Sequence, residues 1–327
     1  MTVRTAIPVL LWVLALLGLG IVLAQLPLAT LAHSVQNLSW AQWLAWLGVN
    51  LSIMAVATQR WRVISAAVGL PLRFGNLLMI RQAGLAVSFI TPGPQFGGEP
   101  LQAYWLWKPN RPPLDRVLLG LGLDRFYELW INFAVLLLAV AVLAASSTTD
   151  IGSWQKIAVY LLLILLTLTA FGALILKQPT AVLRWLQRAT QHWQHHPRLQ
   201  HLQSQGQRLR SGLKTVLAEH KLALLQAFML SLLGWVCLFA ELRLVLGFVN
   251  LNLDVQAFLV IFVAMRMAFL LPLPGGIGSL EAAMVWAFQF LGLSATAALG
   301  VIALMRLRDL LTLSAGLVCV RVLQKRP

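Results

Sequence analysis

Long stretches of this chain carry almost no charge, and that constrains everything else. Residues 7–26, 40–58, 117–145, 157–176, 222–246 and 295–320 are such runs. As helices each approaches or exceeds the roughly 30 Å of a bilayer's hydrocarbon core. Backbone in lipid has no water to bond, so these runs must satisfy their own peptide groups as helices. Charged residues are 11% of the 327, and apolar residues 59%. A soluble domain carries about 25% charged residues, and a chain this apolar does not stay disordered. The expected fold is all-α: a polytopic helical membrane protein, one transmembrane domain over 1–327, with no room for a large soluble enzyme domain. The run 7–26 is long for a signal peptide and no small-residue cleavage site follows, so it is expected to remain as the first span. Cys237 and Cys319 lie inside apolar runs and read as packing residues.

Three further apolar segments, 76–91, 255–271 and 277–292, are only 16 or 17 residues long and adjoin Pro-Gly clusters. The charges orient them. Segments 1–6, 59–75, 105–116, 177–221 and 321–327 hold 18 Lys/Arg, whereas 27–39, 146–156 and 247–254 hold one, Lys156. Basic loops stay in the cytoplasm, which places both termini there, in a plasma membrane. The net charge of +15 then implies attraction to anionic lipid headgroups, not to nucleic acid. With 59–75 and 105–116 on one side, the segment between them must enter and return. By the same argument 255–292 must leave the outer side and return to it. The expectation is about six full spans plus two re-entrant broken-helix hairpins, one from each face.

Residues 177–221 form the one long polar segment, with Trp185, Trp193, eight Lys/Arg and five His. It reads as a basic cytoplasmic amphipathic helix. His192, His195 and His196 have metal-like spacing but no Cys, Asp or Glu beside them, so no metal and no cofactor is expected.

The two breaks resemble each other. The first, SFITPGPQFGGEP (88–100), contains Pro92, Gly93, Pro94, Gly97, Gly98 and Glu99. The second, FLLPLPGGIGSLEAA (269–283), contains Pro272, Pro274, Gly275, Gly276, Gly278 and Glu281. Phe89 matches Phe269, Pro92 matches Pro272 and Pro94 matches Pro274. Beyond the breaks, Arg125 matches Arg306 and Glu128 matches Asp309. With Glu99 and Glu281, these six pairs are offset by 180, 180, 180, 181, 181 and 182 residues. Pro and Gly are common in membrane helices, and two kinked helices account for the breakers alone. The matching acids and arginines favour an internal repeat, 70–145 and 250–322. Opposite entry makes it inverted, which is the pattern of transporters with broken helices meeting near the midplane. Pro and Gly stop a helix within the bilayer, and the half-helix beyond presents free N–H groups to an anion.

Twelve charged residues fall within the expected spans and hairpins: Glu99, Asp124, Glu128, Glu241, Glu281 and Asp309, with Arg81, Arg125, Arg243, Arg266, Arg306 and Arg308. Each costs roughly 2.5–3.5 kcal/mol at a helix centre, so the balance of signs implies pairing. Arginine throughout suits carboxylate or phosphate. Glu241 and Arg243 are expected to pair with each other. Arg308 and Asp309 are left open between pairing and function. Arg81, Glu99, Arg125, Arg266, Glu281 and Arg306 are the candidate substrate-binding set, with Asp124, Glu128 and Asp309 as supporting charges. No catalytic set emerges: the six His lie outside the spans, and no P-loop motif occurs.

RQAGLAVSFITPGPQFGGEPLQAYWL (81–106), GLDRFYEL (122–129), the second break and MRLRD (305–309) resemble the lysylphosphatidylglycerol synthase transmembrane (flippase-like domain) family. The likeness spans roughly 10–322. It implies movement of aminoacylated or glycosylated lipids between leaflets, with Glu99, Glu281, Arg125 and Arg306 at a central cavity. Gln95 and Phe96 stand where relatives vary. The chain runs to Pro327 without the soluble aminoacyl-transferase domain of the bifunctional synthases, so lysyl transfer to lipid is not expected. The function expected is a lipid flippase acting on a phosphate-bearing membrane lipid. A membrane enzyme on a lipid-linked substrate and a recruiting subunit acting through 177–221 are the alternatives.

Overall fold

The structure is a computed structural model that describes residues 38–91, 97–108, 111–146, 151–177 and 197–325. The expected first span 7–26, the breakers Pro92, Gly93 and Pro94, and Trp185, Trp193, His192, His195 and His196 lie outside the described residues.

Among the described residues there are ten α-helices and no strand. They are α1 (Trp40–Ala67), α2 (Phe74–Ile90), α3 (Glu99–Trp107), α4 (Leu114–Ser146), α5 (Ile151–Lys177), α6 (Pro197–Glu219), α7 (Lys221–Phe248), α8 (Val255–Ala268), α9 (Ser279–Phe290) and α10 (Ala295–Gln324). A single 3-10 turn, Pro274–Gly276, sits between α8 and α9. Several starts are set by local chemistry. Ser39 and Gln42 form a capping box at α1, while Asp254 and Ser294 accept from Ala257 N and Ala297 N to open α8 and α10.

Four of these helices carry a stretch long and apolar enough to cross a membrane: Trp40–Ala67, Leu114–Ser146, Ser153–Leu174 and Lys221–Phe248. The expected span 295–320 folds as α10, which is long enough but carries Arg306, Arg308 and Asp309 in its middle. The outward faces are apolar, with Leu44, Leu51, Leu163, Leu166, Phe171, Leu225, Val236, Leu310 and Val318 exposed. A helix surface of this kind is solvated by lipid tails, not water.

One sequence offset relates most of the molecule. Adding 181 to the bounds of α1 gives those of α7. The same shift carries α2 onto α8, α3 onto α9 and α4 onto α10 to within three residues at each end. Packing follows it: α1 lies against α7, α2 against α10, and α8 against α4. The offset in helix bounds therefore reaches back to Trp40, and the first arm of each broken hairpin packs on the long helix of the other half while the second arm packs on its own.

Two apolar cores result. The smaller joins Trp61, Leu77, Trp105, Val117, Leu121, Val216 and Leu323. The larger joins Ile131, Leu136, Val140, Leu246, Phe262, Leu280, Met284, Phe288, Ala298, Val301, Ile302 and Met305. Along α4 the chain passes from the smaller core to the larger; along α10 it passes the other way. Asp124, Arg125 and Glu128 on α4 and Arg306, Arg308 and Asp309 on α10 fall between the cores. Val216 of α6 belongs to the smaller core, so the described part of the basic segment is docked on the bundle.

Candidate functional site

Each break is closed by its own glutamate. The Glu281 carboxylate accepts from Gly278 N–H at 2.8 Å, and that of Glu99 accepts from Gly97 N–H at 2.7 Å. Both acids thus sit in the first turn of a half-helix and answer its unpaired donors. Each glutamate is then met by the arginine one helix further on. Arg306 Nε donates to Glu281 Oε1 at 2.6 Å. Arg125 Nε stands 3.2 Å from Glu99 Oε1. Each arginine also pairs with the acid three residues on, Asp309 and Glu128, both at 3.0 Å. The matching offsets seen in the sequence correspond to matching contacts.

The two clamps differ in grip. Arg306 also donates to the carbonyls of Gly275 and Gly276, both at 3.0 Å. With its bonds to Glu281 and Asp309, four of its five N–H donors are used. It satisfies the carbonyls that the break frees. In the first half the Arg125 and Glu99 atoms are close enough to ion-pair but misaligned for a hydrogen bond. The Glu99 side chain is 21% exposed, that of Glu281 1%. The first break also has a glycine contact: Gly98 N–H donates to Ser88 Oγ at 2.9 Å, and a Cβ on Gly98 would fall 2.0 Å from Gly84 O.

Three arginines and three acids gather in the first half. Asp124, 1% exposed, receives Arg60 at 2.8 Å and Arg81 at 3.1 Å, one on each oxygen. Glu128 Oε2 receives Arg60 at 3.3 Å, Arg81 at 3.6 Å and Arg125 at 3.0 Å. In the second half Arg308 binds Glu241 at 3.0 Å and Asp309 at 2.9 Å. Arg266 reaches across to Asn132 Oδ1 at 2.7 Å, with its guanidinium over the Trp235 ring, 4.6 Å from the centroid. Among the described residues no carboxylate salt-bridges it, though it feels the charges of Glu128, Glu241 and Arg308.

Among the described residues six acids and six arginines thus form a neutral belt, half of it on α4 and α10 between the cores, but not the twelve expected. Glu241 does not pair with Arg243. Residues two apart on a helix do not face each other; Arg243 donates to Leu253 O at 3.1 Å instead, and Glu241 takes Arg308. Arg60 was missed. Ending the first described span at 58 put it in a basic loop, whereas α1 continues to Ala67 and Arg60 is buried on Asp124 and Glu128. The signal was present: 60 plus 181 is 241, so Arg60 occupies the repeat position of the buried Glu241.

Of the six expected substrate-binding residues, Arg81, Glu99 and Arg125 share the first cluster. Glu281 and Arg306 share the second, and Arg266 stands apart on Asn132. A hollow of about 160 Å³ joins the two breaks. Its walls are Ser88 and Phe89 at the end of α2, Phe269, Gly275 and Gly276 in the second break, and Arg308, Asp309 and Thr312 on α10. Arg308 and Asp309, not the six, are its charged wall.

Broken helices paired by an internal repeat, an apolar exterior and a neutralised belt of buried charge define a polytopic helical membrane protein. The family model for the lysylphosphatidylglycerol synthase TM region matches residues 5–316, and the chain belongs to that family. A UPF0104 membrane protein of Methanothermobacter thermautotrophicus is 23% identical over 251 residues, covering 74% of this chain and 73% of the relative. A second match to a UPF0104 membrane protein of the same organism is 35% identical over 120 residues, covering 37% of this chain and 33% of the relative. No solved structure matches the chain. The protein is integral to a membrane.

Proposed function

We propose that this chain is a lipid flippase: it moves a phosphate-bearing lipid, with an aminoacylated or glycosylated headgroup, between leaflets and makes or breaks no covalent bond. The observation that carries the reading is the charged belt. Six arginines and six acids are kept among apolar helices, half of them on the stretches of α4 and α10 between the two cores, at a cost that packing alone does not require. The hollow between the breaks is smaller than the roughly 300 Å³ of ordinary ligand pockets. It suits a phosphate-sized group, and a headgroup enters only if the halves part. The two hairpins dip in from opposite leaflets and one half rocks against the other, with acyl tails left in lipid. The looser Arg125–Glu99 clamp makes the first break the one that opens.

The basic end, with Arg73, Lys108, Arg111, Lys214 and Lys325, faces the cytoplasm and its anionic headgroups. The family's description supports the lipid class, since lysylphosphatidylglycerol joins a phosphodiester to a cationic headgroup. The test is translocation in proteoliposomes against a panel of headgroups, with protein-free liposomes as reference. Faster crossing of at least one phosphodiester lipid is expected; rates equal to protein-free liposomes across the panel would end the proposal.

A further inference from the structure

Glu128 is held unlike any other acid of the belt. Three guanidiniums approach one of its oxygens, Oε2: Arg125 Nη1 at 3.0 Å, Arg60 Nη2 at 3.3 Å and Arg81 Nη2 at 3.6 Å. Arg125 is as close as the belt's other pairs, but Arg60 and Arg81 stand beyond the about 2.7–2.9 Å of an ordinary charge-assisted N–H···O bond, so two of the three share the oxygen loosely. The Glu128 side chain is also the most open of the six acids, 36% exposed against 21% for Glu99 and 10% or less for the others. Asp124 is its opposite. Wholly buried, it spans Arg60 and Arg81 with one oxygen each and fixes where their remaining donors point.

Three forks aimed at one carboxylate oxygen are more donor than that oxygen can use. A phosphate presents several acceptor oxygens in a tetrahedron and accepts from all three without sharing. The charge fits as well. Without Glu128, Arg60, Arg81 and Arg125 face only Asp124 and Glu99, which leaves one positive charge. That balances the single negative charge of a phosphodiester and undershoots the two of a phosphomonoester. The displaced carboxylate has a destination. Arg266 is held on Asn132, one turn further along the same face of α4, and no acid among the described residues salt-bridges it. Among the described residues the second half has no counterpart: Asp309 meets two arginines, one on each oxygen, and is 10% exposed.

We infer that Arg60, Arg81 and Arg125 form an anion seat for one phosphodiester, and that Glu128 occupies it as a removable stand-in until the headgroup arrives. This deepens the transport reading and takes from it the lipid as the source of the phosphate; the seat itself stands on the geometry alone. Glu128 is a positioning residue that keeps the seat neutral while empty.

The experiment is calorimetric titration of the purified full chain in detergent with two probes, inorganic phosphate and dihexanoylphosphatidylglycerol. The variants are Glu128→Gln, Glu128→Asp and Asp254→Asn. Glu128→Gln frees the seat of its charge. Glu128→Asp keeps the charge but withdraws it by one methylene, and carries the test if the first variant fails to fold. Asp254→Asn removes one negative charge from an exposed residue outside the belt and keeps the cap of α8. Both Glu128 variants are expected to bind the short-chain lipid about tenfold more tightly than the unaltered chain, and Asp254→Asn to leave affinity unchanged. Adding Arg81→Gln to Glu128→Asp is expected to remove the gain. Affinity unchanged in both Glu128 variants, or raised equally by Asp254→Asn, overturns the seat. Tightening for inorganic phosphate alone overturns its assignment to a phosphodiester. Tightening for the lipid in a protein that moves no lipid would leave the seat standing and remove the transport reading instead.

Discussion

Among the buried charges, depth separates scaffold from site. Asp124 holds two arginines where no water reaches, so Asp124→Ala leaves both uncompensated. Breaking such a pair costs about 3–5 kcal/mol, and a large fall in melting temperature in detergent is expected, with Glu128→Gln far milder. Equal losses in the two would contradict the division. Part of this was legible in the sequence. The i, i+3 spacing of Arg125 with Glu128 and of Arg306 with Asp309 gave two true pairs. Partners of Arg60 and Arg81 lie 43 to 68 residues away, and no local spacing encodes them. Arg60 was hidden for a further reason: a buried, neutralised arginine and a loop arginine look alike until its partner is known.

At the level of elements, the breaks follow directly from Pro and Gly, and the short flanking runs fold as the short helices α2, α8 and α9. What the sequence does not reveal is how a break is sealed. Gly98 at Gly84 seals the first by contact, so Gly98→Ala, whose methyl would meet a backbone oxygen, is expected to cost at least the roughly 1–3 kcal/mol of ordinary overpacking, read as lost folded yield. The seam between repeats is equally close. A Cβ on Gly316 of α10 would lie 2.5 Å from Gln82 O and 2.6 Å from the Ala86 Cβ on α2. Gly316→Leu should therefore force the long helix of one half from the hairpin of the other and lower thermal stability by a similar amount. Full stability in Gly316→Leu would mean that this seam is not tightly packed. The extent of α1 was misjudged because hydropathy falls at Arg60 and Arg62 while the helix does not.

For the whole molecule, six matched residues carry the offset in the sequence, and the helix bounds follow it further, back to Trp40. The sequences of α1 and α7 share little beyond length, and only the bounds and mutual packing of the two helices reveal the pair. Two cores with charge between them also escape a residue-by-residue reading, since each core is assembled from both halves. If the halves are inverted, cysteines placed at Arg111 and at Asn252 should be labelled by an impermeant thiol reagent from opposite sides. Labelling from one side in both would contradict opposite entry.

The most direct test of the belt as the route for a headgroup is the initial rate of phosphodiester-lipid translocation in proteoliposomes bearing Glu99→Gln or Arg125→Gln, with equal amounts of folded protein. These residues form the looser clamp, and the account predicts a fall of at least about tenfold in each, the size of one lost charge-assisted contact of roughly 1.5–3 kcal/mol. Unaltered rates in both would show that lipid crosses elsewhere, and that the buried charge serves only to hold the fold.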